Sequence, residues 1–157
     1  MATWQFSFYL IPASAVERHF SVVPLTISLE EYDRVDWWNG CDLLERIQGD
    51  LATFLSRGRS WHSKLDQWGD EDGDRFDVWR EGQGVAETFG RVDVRTLSMP
   101  YLNRVIDFAR RHQLMLITED RHVLRPSVKE LRPGHSSLDC VRLCVRSGRL
   151  SASALEG

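Results

Sequence analysis

At the start of the chain, Trp4, Phe6, Phe8 and Leu10 alternate with Thr3, Gln5, Ser7 and Tyr9. A period of two with large apolar groups at every second place predicts a β-strand with one deeply buried face, and Pro12 ends it. The chain can bury that face: its 157 residues are 42% apolar and 27% charged, the profile of one compact domain over residues 1–157. An aromatic content of 10%, with six Trp, excludes a disordered chain, and eleven Gly and five Pro are too few for a collagenous or low-complexity one.

Ala13 to Phe20 reads as a short helical turn. Val22 to Leu29 is β-branched but broken by Pro24, so it reads as an edge strand or extended linker. Asn39 or Asp42 can cap a helix in which Leu43, Leu44, Ile47, Leu51, Phe54 and Leu55 recur at helical spacing, with Arg57-Gly58 at its end. Trp61 to Trp68 reads as a strand. Arg75 to Arg80, the turn Glu81 to Gly84, and Val85 to Arg95 then form a hairpin. Ser98 and Pro100 open a second helix through Leu102, Val105, Ile106 and Ala109. The unbroken run Leu114 to Ile117 predicts a strand buried on both faces and central in its sheet. Arg121 to Arg125 reads as a further strand, Pro126 to Leu131 as a helical turn and Ser136 to Arg146 as a last helix. Residues 147–157 read as a frayed tail. The fold class expected is α+β: an antiparallel or mixed single-layer sheet with two or three helices packed on one face.

No apolar run approaches the roughly 20 residues that span a bilayer, and the N-terminus lacks the basic flank and cleavage site of a secretory signal, so a cytoplasmic protein without a membrane partner is expected. Cys41, Cys140 and Cys144 are odd in number and few, which fits a reducing compartment. The formal net charge is only −3, yet residues 1–90 carry eight basic and sixteen acidic side chains while residues 91–157 carry twelve and seven. A dipolar distribution of this kind bears on partners and association rate rather than on fold.

The densest chemistry is Asp70-Glu71-Asp72-Gly73-Asp74. It invites comparison with a calcium loop, but Arg75 stands where the sharp turn needs glycine, and the flanks read as strands. What remains is a solvated acidic turn or, with Trp68 and Trp79 beside it, a protein-recognition patch of Trp68, Asp70, Glu71, Asp72 and Asp74. A second set, Asp77, Arg91, Asp93 and Arg95, projects to one side of the hairpin. As exposed cross-strand ion pairs its members would be worth roughly 0–1 kcal/mol each; enclosed, they would be a site for an anionic or polar ligand. Cys140 and Cys144 share a helical face near His135 without the further ligands that zinc needs, and read as small buried hydrophobes. The arginines from Arg110 to Arg149 read as helix ends and solvated faces, and nucleic acid is not expected as a partner. Trp37-Trp38 reads as an anchor for the first long helix or as an exposed contact. No phosphate loop, nucleophile elbow, metal or cofactor signature is present in the sequence.

The run Trp68 to Val78, followed by Arg91-Val92-Asp93-Val94-Arg95, resembles the hairpin segment of small uncharacterised bacterial α+β proteins, some of which sit in loci resembling toxin and immunity pairs. The resemblance covers residues 60–120 and brings no catalytic residue with it. Together with the acidic loop it leads to the expectation of a non-enzymatic immunity-type module that occludes a basic toxin domain. The alternative is a small-molecule-binding or enzymatic domain using Asp77, Arg91, Asp93 and Arg95, and a third possibility is a homodimer formed through the tryptophan-rich first half.

Overall fold

The alternating segment forms β1 (Gln5–Pro12) in a computed structural model that describes residues 5–96 and 98–126. The elements that follow are α1 (Ala13–His19), α2 (Leu29–Arg34), α3 (Leu44–Leu51), β2 (Leu65–Gly69), β3 (Arg75–Glu81), β4 (Gly84–Asp93), α4 (Met99–Arg111), β5 (Leu114–Thr118) and β6 (Val123–Leu124). The six strands make one sheet in the order β2-β3-β4-β1-β5-β6, with every neighbouring pair antiparallel. This is an α+β fold, and β1 is interior: Phe8 lies opposite Gly90 on one side and Thr118 on the other.

Alternation assigns the two faces. Phe8 and Leu10 share theirs with Thr88, Val92, Phe76, Val78, Asp66 and Trp68, as the strand registers require. Helix α4 packs on this face, with Phe108 5.3 Å from Phe76 between ring centroids. Ser98 caps α4 by accepting a hydrogen bond from the Tyr101 amide, and Pro100 sits in its first turn. Phe8, Phe76 and Phe108 are at most 2% exposed, so each contributes about 2–3 kcal/mol of burial. Gly90 makes the packing possible, because a Cβ there would overlap the Phe8 ring.

The opposite face carries a smaller cover. Tyr9, which points away from Phe8, meets Tyr32 of α2 at 5.4 Å. His19 of α1 joins the same unit through Glu31, 3.0 Å away, and through the ring of Trp37. Trp37 and Trp38 are both buried, so the pair is an internal anchor and not an exposed contact.

Several expectations shift. Residues 22–28 form no strand beyond an isolated bridge between Thr26 and His122, and Ser28 instead caps α2. Helix α3 is shorter than the apolar spacing implies. Asn39-Gly40 lies in a turn and Leu43 is the N-cap residue, while the Thr53 hydroxyl donates to the Asp50 carbonyl just past the helix end. β2 begins only at Leu65, leaving Trp61 in the preceding loop. β5 is one strand from the edge rather than central; it is covered because β6 is flanked in turn by residues 25–27, where Val123 donates to the Leu25 carbonyl and Ile27 to that of Arg121. The other edge is covered likewise, since Gly58 donates to the Gln67 carbonyl and Gly69 to that of Ser56 along β2. The expected turn and helix over 127–146, Cys140, Cys144 and the tail lie outside the described residues. Among the described residues no helix is long and apolar enough to cross a membrane.

Candidate functional site

The acidic loop joins β2 to β3, and its geometry starts at Gly69. This residue has φ +92°, where a Cβ would strike the Asp74 carbonyl. The Asp70 amide donates to the Asp74 carbonyl at 2.9 Å, and the Asp70 carboxylate accepts from the Asp72 amide at 2.9 Å. Asp74 fixes the loop to the end of β4, where its Oδ1 accepts from the Asp93 amide at 2.9 Å.

Two arginines then hold the loop by its backbone. Arg91 donates to the carbonyls of Glu71 and Gly73, and Arg95 donates to that of Asp72 at 3.1 Å. Three successive carbonyls are thus bound by guanidinium groups. The carboxylates of Glu71 and Asp72 are exposed and accept no hydrogen bond from the described residues. The loop keeps its negative charge at the surface while its main chain is fixed.

Beside the loop runs an open groove of about 920 Å3, lined by Phe54, Leu55, Trp68, Arg59 and Arg75, by the loop itself, and by Asp93 and Arg95. Trp68 is only 5% exposed and belongs to the core, with the Arg57 guanidinium 5.5 Å from its ring centroid. It is part of the groove's lining, not a ring standing out from the patch.

The second residue set is brought against the first. Asp93 and Arg95 line the same groove, and Arg91 grips the loop. Asp77 stays apart, held by Arg75 through two hydrogen bonds of 2.8 Å. The ion pairs are neither cross-strand nor exposed at their acidic ends: Arg75 pairs with Asp77 along β3, Arg95 in the turn after β4 pairs with Asp93 at the end of that strand, and both carboxylates are buried. The β3–β4 register explains this, because Arg75 lies opposite Arg91 and Asp77 opposite Phe89, so neither Asp77 nor Arg91 directly faces an opposite charge across that pair. Burial pushes the Asp77 carboxyl above the usual carboxylate range against the pull of Arg75, and likewise raises Asp74. Hydrogen bonds from Arg95 hold Asp93 below that range.

Two further carboxylate centres, buried Asp66 and half-buried Asp50, are not among the residues singled out from the sequence. Asp66, 3% exposed, accepts from Gln48 at 2.6 Å and Arg57 at 2.7 Å; Arg80 Nε lies 3.0 Å away as an ion pair whose angle falls short of a hydrogen bond. Its signal was the period of two, which puts Asp66 on the core-facing side with Trp68. Asp50 joins α3 to the end of α4 through Arg111 at 2.7 Å and His112 at 2.6 Å. Burial lowers the His112 pKa in spite of Asp50. The other ring nitrogen of His112 is buried without a partner, so no hydroxyl or thiol is placed for activation by this pair. Among the described residues no three His, Cys, Asp or Glu side chains converge as a metal site.

No known protein family, curated protein or solved structure matches this chain.

Proposed function

We propose that this chain is a protein-binding module of immunity type, in which the 70–74 loop captures a basic protein surface, such as that of a toxin acting on nucleic acid, and occludes it. The observation that carries the reading is the holding of the loop by its carbonyls. Arg91 and Arg95 fix the backbone of residues 71–73 and leave the carboxylates of Glu71 and Asp72 facing solvent. Exposed charge of one sign accelerates encounter with a basic partner, and a backbone already ordered loses little entropy on binding. The reading includes a cytoplasmic location and needs no cofactor.

The alternative, a small-molecule site on Asp77, Arg91, Asp93 and Arg95, has less support. Asp77 and Asp93 are each held by an arginine, and Arg91 is occupied with loop carbonyls. The test is retention from host lysate by the tagged protein and by an Asp70→Asn, Asp72→Asn, Asp74→Asn variant, each washed at low and at high salt. A stoichiometric basic partner that is lost at high salt and lost by the variant supports the proposal. Equal retention by the variant refutes it.

A further inference from the structure

The turn of residues 36–42, before α3, and the tip of the β3–β4 hairpin border a second open hollow of about 520 Å3. It lies at the far end of β3 from the acidic loop: the loop ends at Asp74, just before the strand, and the hollow takes in Glu81, its last residue. The seven residues of β3 span about 20 Å, so the two sites are separate. The charged residues lining the hollow are Asp36, Asp42 and Glu81, with no lysine or arginine beside them. All three are exposed, and among the described residues their carboxylates have no hydrogen bond or ion pair. The side-chain amides of Asn39 and Gln83, in the same lining, have no hydrogen bond among the described residues either.

Trp38 also lines the hollow and supplies an observation independent of charge. It is 3% exposed, and its Nε1–H is buried with no acceptor among the described residues. Its neighbour Trp37 shows the usual arrangement, donating from Nε1 to the Tyr32 carbonyl at 2.9 Å. A buried N–H left without an acceptor costs about 1–3 kcal/mol, and beside a polar hollow it points to an oxygen that arrives with a ligand. The demands of the lining then combine. Carboxylates call for protonated amines, the indole for an oxygen acceptor, and the two amides for hydroxyl groups. The volume is that of a small-molecule site. We propose that this hollow binds a polyhydroxylated amine of the amino-sugar class, with its ammonium groups at Asp36, Asp42 and Glu81 and an oxygen at the Trp38 indole. The site goes beyond the proposed capture of a basic protein and shares no residue with the acidic loop.

The experiment titrates the full chain, isotope-labelled at its tryptophans, with the two-ring amino sugar neamine and follows the indole N–H resonances by nuclear magnetic resonance. Glucose serves as the probe with hydroxyls only, and spermidine as the probe with amines only. Neamine is expected to bind saturably and to move the Trp38 indole resonance downfield, with glucose silent and spermidine weaker by about tenfold. Asp36→Asn with Glu81→Gln, both at exposed positions, is expected to weaken neamine about tenfold, while Asp70→Asn with Asp72→Asn changes it by less than about twofold. An indole spectrum otherwise unchanged shows that each variant keeps the fold. Absence of neamine binding up to about 10 mM overturns the proposal. So does a Trp38 resonance that stays in place at saturation, equal binding of spermidine, or a greater loss in the acidic-loop variant than in the hollow variant. None of these outcomes depends on whether a lysate partner is retained, so the two proposals fail separately.

Discussion

Asp66 and Asp72 lie on one hairpin, and arginines treat them in opposite ways. At Asp66, Arg57 and Arg80 come to the carboxylate itself, with Gln48 completing the shell. At Asp72, Arg95 goes past the side chain to the backbone carbonyl, and Arg91 does the same at Glu71 and Gly73. Burial makes the difference. An ionised carboxylate removed from water costs several kcal/mol unless it is paired, whereas an exposed one is hydrated and needs no partner. Arginines near the buried set therefore neutralise charge, and arginines near the exposed set act as scaffolding that leaves the charge in place. The first arrangement holds the fold together; the second presents a surface.

Substitutions separate the two roles. Asp66→Ala should have the largest effect, about 3 kcal/mol lost in urea unfolding, because it strands Arg80 and Gln48 beside a buried void. Arg91→Ala should cost about 1–2 kcal/mol, and hydrogen exchange should show faster opening of the loop amides, since two carbonyls lose their donor.

The next effect is pH-dependent and comes from His112. Burial holds its pKa below the ordinary 6.5, so the unfolded chain takes up this proton first as pH falls. The His112 contribution is complete above about pH 6.5, declines as pH drops toward the folded value and levels off below it. His112→Gln should flatten that part of the stability profile between pH 7 and pH 5, read by urea unfolding at each pH. Glu71→Gln with Asp72→Asn should change stability by less than about 0.5 kcal/mol, yet slow association with a basic partner at low salt in stopped-flow measurements.

Much of the fold was legible because its elements carry strong periods. β1, the β3–β4 hairpin and α4 with its Ser98 cap all stand where alternation, turn residues and helical spacing put them. Helix α2 was not, since six residues after Pro24 are too few to show a period, and α3 stops before Phe54 and Leu55, which follow it in a turn. At the site, composition alone pointed to Asp70, Glu71, Asp72 and Asp74. The clamp did not show, because Arg91 and Arg95 reach the loop only once β4 returns alongside β3, and a one-residue change of register would turn both side chains to the other face.

The most direct test of the separation between structural and presented charge is a single comparison on an Asp70→Asn, Glu71→Gln, Asp72→Asn variant: its urea midpoint and its salt-sensitive retention of a basic partner, each against wild type. The account predicts an unchanged midpoint with retention abolished. A midpoint that falls as it does for Asp66→Ala, or retention equal to wild type, would contradict it.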